Sequence, residues 1–202
     1  MTPFLETLKI QRWDDHRYYH QSRINQALHL VSALSFLVAY VYLVIDPAIS
    51  GWIAWVVAMS TRQIGHFVFE PTGFDNVNHV SHEYKEAVKV GYNLRRKVVL
   101  LSVCALIPAL AQWAPDALTW IVPVSYEDSF FDLVGMSWVM LGLIGVAFRV
   151  TQLWVQHGMI EGFAWASKII TDPFHDIALY HKAPYYLLKG QWLDPMEHVR
   201  AR

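Results

Sequence analysis

Residues 27–45 read ALHLVSALSFLVAYVYLVI, nineteen positions in which only His29 can carry a charge near neutral pH. As a helix this stretch would rise about 28 Å, close to the hydrocarbon thickness of a bilayer. The whole chain supports that reading. Its 202 residues are 54% hydrophobic and only 16% charged, where soluble domains carry about 25% charge. Nine Trp, ten Tyr and ten Phe supply anchors for membrane interfaces as well as core filling. A net charge of −1, with no basic tract interleaved with aromatics, gives no footprint for nucleic acid. Cys104, the single cysteine, lies in an apolar run, so no disulfide framework and no cysteine metal motif is expected. The opening MTPFLETLKIQRWDD lacks the basic-then-apolar pattern of a cleaved signal.

Outward from 27–45, three more apolar stretches follow, at 51–69, 98–114 and 133–155. The second carries Arg62 and His66 in its later half, and the fourth carries Arg149. The turn DPAIS between the first two predicts an antiparallel hairpin. The expected architecture is therefore all-α: one integral membrane domain over 1–202, a four-helix bundle with an arm at 1–26, a loop at 70–97 and a tail at 156–202. Lys and Arg fall in the arm (Lys9, Arg12, Arg17, Arg23), the loop (Lys85, Lys89, Arg95, Arg96, Lys97) and the tail (Lys168, Lys182, Lys189, Arg200, Arg202). The turn at 46–50 and the loop at 115–132 hold none, but hold Asp46, Asp116, Glu127, Asp128 and Asp132. Basic residues collect on the cytoplasmic side, so both termini and the central loop are expected there, in a bacterial inner membrane or an ER-type membrane.

The ten histidines obey the same partition. His16, His20, His66, His79, His82, His157, His175, His181 and His198 lie in basic segments or at span ends facing them, and His29 sits near the start of the first span. Residues four apart share a helix face. Arg62, His66 and Glu70 are spaced so, as are His157 and Glu161, with Arg149 eight before His157. Each His/Glu pair is followed by two more histidines, which makes the chain's halves look like distant echoes. Imidazole with carboxylate is a ligand set for iron, zinc, copper or nickel, and ionisable groups in spans are costly and usually functional. The candidate metal ligands are His20, His29, His66, Glu70, His79, His82, His157, Glu161, His175 and His181. Asp172 and Asp176 are suited to orienting ligands through the other ring nitrogen. The tail segments 160–171 and 185–195 are expected to cap the site.

Two stretches carry a resemblance. YYHQSRINQALHLVSALSFL (Tyr18, His20, Asn25, His29) and RQIGHFVFE (Gly65, His66, Glu70) resemble the two opening motifs of the small membrane 2-hydroxy fatty acid dioxygenases, over about residues 18–75. The resemblance implies four spans, an iron(II)-dependent use of O2 to shorten a 2-hydroxy fatty acid, and metal ligation at His20, His29, His66 and Glu70. After Glu70 the chain departs from that pattern, and the His157/Glu161 region and tail have no counterpart in it. The leading expectation is a non-haem iron oxygenase, with one or two Fe(II) per chain, acting on a lipid or fatty-acid-like substrate. Arg62 or Arg149 is expected to pair with the substrate carboxylate, since guanidinium matches it bidentately. The rivals are a diiron hydroxylase or desaturase with a reductase partner, although no adjacent His-His pair occurs, and a haem-binding subunit or metal transporter.

Overall fold

The computed structural model describes residues 2–88, 94–127 and 129–200, of which the side chains at 94–96, 198 and 200 are not described. Lys89, Asp128 and Arg202, and the side chains of Arg95, Arg96, His198 and Arg200, which enter the charge partition, lie outside the described residues. The described chain is 80% helix with no strands.

Helix α1 (Pro3–Tyr19) starts with Pro in its first turn. Ser22 caps α2 (Arg23–Ile45), its hydroxyl accepting from the backbone N–H of Asn25. Asp46 both ends α2 and caps the returning helix: its carboxylate accepts from Ala48 N at 3.0 Å and Ile49 N at 3.2 Å, with Pro47 at the first helical position. One residue thus closes one helix and opens the next, which forces the hairpin. The returning helix, α3, runs over 47–69 and alternates in winding: α-helical at Pro47–Trp52 and Ser60–Ile64, π-helical at Ile53–Met59 and Gly65–Phe69. After a turn come α4 (His82–Val88), α5 (Leu94–Trp113), α6 (Phe130–His157), α7 (Met159–Tyr180), α8 (Ala183–Leu188) and α9 (Glu197–Arg200).

The apolar stretches at 27–45, 51–69 and 133–155 fall within α2, α3 and α6, and that at 98–114 runs one residue past the end of α5. Two of these, α2 and α6, are long and apolar enough to cross a membrane; the apolar part of α5, Lys97–Trp113, is shorter. The start of α3 packs on α6, which also carries α5, while α7 lies across α1, α2 and α6. The apolar core gathers at one end of the hairpin, where Cys104, Ile107, Leu118, Val122, Leu133 and Trp138 are buried. Trp52 stacks on Phe131 there, and the Trp138 indole donates to Cys104 O at 2.9 Å. His20, His29 and His66 occupy the opposite end, where α2 begins and α3 stops.

Candidate metal centre

Three elements deliver three imidazoles to one point. His20 comes from the link between α1 and α2, His29 from the second turn of α2, and His66 from the terminal π-turn of α3. Their close approach rests on residues that are not ligands. Gly65 lies so near α2 that a Cβ there would overlap Asn25 Oδ1. The Asn25 amide donates to Tyr19 O at 2.8 Å and to Glu70 Oε2 at 2.6 Å, and Glu70 Oε1 accepts from Gln21 N at 3.3 Å. Asn25 and Glu70 therefore tie the link that bears His20 to the end of the helix that bears His66.

The result is a group of three ring nitrogens within 4.8 Å of one another. Nε2 of His29 is 3.3 Å from Nε2 of His20 and 3.1 Å from Nε2 of His66. His20 Nδ1 lies 3.0 Å from the Asp15 carbonyl, and His29 Nδ1 lies 3.4 Å from Asp176 Oδ2. Both partners can only accept, so each Nδ1 carries the hydrogen and each Nε2 presents a bare lone pair. Two lone pairs at 3.3 Å cannot hydrogen-bond to each other; a cation between them turns that repulsion into ligation. Burial, with the neighbouring His29 adding to it, holds the His20 imidazole well below its ordinary range, so the ring is neutral as a ligand must be.

Around this core α7 supplies a polar stripe, Lys168, Asp172, Asp176 and Tyr180, each four residues from the last. Arg62 holds Asp176 Oδ2 at 3.0 Å and Asp172 Oδ2 at 3.5 Å. Lys168 Nζ reaches Asp172 at 3.0 Å and Asp15 at 3.2 Å. Burial disfavours the Lys168 charge, but Asp15 and Asp172 together raise its pKa above the ordinary lysine value. Tyr180 is buried with its hydroxyl 3.0 Å from His16 Nδ1, and its ring centroid lies 5.3 Å from that of His20.

Of the ten candidate ligands the structure brings together His20, His29 and His66, and among the described residues no second such group forms. Glu70 leaves the helix, its backbone extended at φ −79° and ψ 130°, and is occupied by Asn25 and Gln21. His157 and Glu161 do not share a face, because the helix breaks between them at Gly158, whose φ of +98° suits glycine. His157 is exposed at the end of α6, and Glu161 Oε2 accepts from Gln11 at 2.7 Å. His79 is exposed in a turn, His175 is half-buried on α7, and His181 turns its ring to the carbonyls that end α7. His82 opens α4 and borders a cavity beside His66. Of the two arginines, Arg62 is engaged by two buried carboxylates, and Arg149 is buried on α6 with Gln152 Oε1 at 2.6 Å. Tyr180 escaped the sequence reading, although its four-residue step from Asp176 was there to be found. The tail packs against the start of α2, with Arg23 N donating to Trp192 O and Asp194 N to Gln21 O.

Comparison of the chain with family models, with curated proteins and with solved structures finds no match.

Proposed function

We propose that this chain is a membrane-embedded non-haem iron oxygenase in which His20, His29 and His66 hold one Fe(II), and that it oxidises a 2-hydroxy fatty acid with O2. The observation that carries the reading is the convergence of three imidazole nitrogens, two of them with their lone pairs turned inward by Asp15 O and Asp176. Three neutral ligands leave open positions on the metal. Bound there, iron would supply the chemistry of bringing O2 and a chelating hydroxy acid together. The protein's part is to orient and enclose: Asp176 and Arg62 fix the His29 ring, Glu70 and Asn25 fix the entry of His20, and Tyr180 packs against His20 as a wall. The resemblance to the 2-hydroxy fatty acid dioxygenases falls on these same residues. A single group of ligands among the described residues favours a mononuclear centre over the diiron alternative.

Membrane residence accords with the outer surface. Only 22% of the apolar window of α2 is buried, whereas a soluble core helix is covered. Val31, Leu34, Val38, Val41 and Val44 stand exposed along it. With α3 and α5 as the remaining spans, the chain would cross four times, and the partition of Lys and Arg would put both termini and the centre on the cytoplasmic side.

Metal content per chain on detergent-purified protein, beside His66→Ala and His157→Ala, tests the reading. One iron, lost in His66→Ala and kept in His157→Ala, is expected, together with O2 uptake on adding a 2-hydroxy fatty acid. Two metals, both variants impaired, would put a diiron enzyme with a reductase first. A haem spectrum, or no metal in any sample, would overturn it.

A further inference from the structure

Beyond α7 the chain makes a short excursion and returns to the start of α2. The six residues of α8 are too few to cross a bilayer. Gly190 then turns the chain: its φ of +75° suits glycine, and the Gly190 and Gln191 amides bond back to Leu187 O at 2.9 Å and Tyr186 O at 3.0 Å. Residues 191–194 run back antiparallel to 21–23. Arg23 N donates to Trp192 O at 2.9 Å and Asp194 N to Gln21 O at 2.8 Å, around a bridge between Ser22 and Leu193. Side chains hold the same contact. The Asp194 carboxylate pairs with Arg23 at 3.1 Å and accepts from Gln26 Nε2 at 2.9 Å, and that Gln26 amide also donates to His20 O at 2.8 Å.

This strap is fixed by polar pairing, yet it leaves apolar side chains outside. Leu188, Trp192 and Leu193, within six residues of one another, are 90%, 63% and 60% exposed. Exposed apolar residues gathered in this way mark contact with a protein or a membrane. Their neighbours select between the two. Lys182 and Lys189 are exposed beside them, and Lys189 Nζ lies 4.3 Å from the ring centroid of the exposed Tyr185. Aromatic rings with long lysines are the composition of a head-group boundary, where the ring sits between oil and water and the ammonium reaches the phosphates. The level fits as well. The strap pairs with the first turn of α2, whose first strongly exposed large apolar residue, Val31, comes eight residues after Arg23, about 12 Å further along the helix. The strap therefore continues the uncovered apolar face of α2 at the height where its span begins.

We infer that residues 183–194 form an interfacial anchor that lies in the head-group layer, with Leu188 and Trp192 seated at the acyl boundary, and that this anchor holds the link bearing His20 at the membrane surface. The inference rests on the membrane reading given under the proposed function and needs no metal.

Nitroxide labels at Leu188→Cys, Trp192→Cys and Val38→Cys test it, each placed in the full chain with the buried Cys104 changed to alanine. The proteins are embedded in nanodiscs of phosphatidylcholine with phosphatidylglycerol, and circular dichroism on the same samples reports the helical fold. Depth is read from collisions with O2, which concentrates in the acyl layer, against collisions with a Ni(II) chelate, which stays in water. The label on α2 at position 38 should lie deep. Labels at 188 and 192 should be several-fold less accessible to the chelate than free label in buffer, at a shallow depth of about 5–10 Å. Labels at 188 and 192 as open to the chelate as free label, with 38 still deep, overturn the anchor and leave the membrane reading standing. The same holds if they lie as deep as 38, which makes the tail part of a span, or if both reagents are excluded, which puts a second protein against the strap. A label at 38 open to the chelate removes the membrane reading and the anchor with it.

Discussion

Gly65 and Asn25 stand in contact across the α2–α3 interface, and no side chain larger than hydrogen fits at 65: a Cβ would overlap Asn25 Oδ1 and come within 3.1 Å of Cγ. His66 follows Gly65, and Asn25 holds both Tyr19 O and Glu70. The distance between the two helices is thereby set at the point where the imidazoles meet.

Gly65→Ala should push the helices apart. Overpacking of this kind costs about 1–3 kcal/mol, so the protein should remain helical by circular dichroism while its metal content falls. A variant that retains full metal occupancy would show that the contact does not set the site.

Asp176→Asn is expected to weaken metal binding roughly 10–100-fold, the usual cost of losing a carboxylate behind a ligating histidine. The amide can still accept from His29 Nδ1, but it no longer pairs with Arg62. Competition against a chelator measures it. Glu161→Gln is the matched control, because Glu161 faces Gln11 and its change should leave affinity unaltered.

Lys168→Met leaves Asp15 and Asp172 facing each other with no lysine between them. Removing one partner of a buried ion pair costs about 3–5 kcal/mol, and burial already raises the Asp172 pKa. Unfolding in mixed micelles should show that loss. Lys168→Met combined with Asp172→Leu should recover part of it.

His175 gives the pH dependence. Burial, with Arg12 adding to it, lowers its pKa from the ordinary 6.5. A depressed value means the unfolded chain binds the proton more readily, so this stabilisation is present above about pH 6.5 and is lost as the pH falls toward the folded value. His175→Asn should flatten that part of the acid limb in a melting-temperature series; an unchanged limb would assign the acid sensitivity elsewhere.

What could be read in the sequence, and what could not, divides along a physical line. His20, His29 and His66 were visible because a charged or chargeable group near an apolar helix end is costly and calls for a partner. The four-residue spacing, by contrast, misled twice, each time because the helix it assumes stops inside the interval. Glu70 lies past the end of α3, and Gly158 separates His157 from Glu161. The spacing held on α7, where Lys168, Asp172, Asp176 and Tyr180 do share a face. Which ring that stripe would meet was beyond the sequence, since Asp176 and His29 are 147 residues apart. The π-turn that delivers His66 also leaves no mark in composition, its residues GHFVF being ordinary apolar span.

The same separation sets an order of events during synthesis. All three imidazoles have been made by residue 66, while the carboxylate and phenol that brace them arrive at 176 and 180. A ribosome that has released the first hairpin has released the three imidazoles but not their support. The three rings reach their final setting only when α7 folds back across α1 and α2, so the cluster near the start of the chain is completed by residues that are made last.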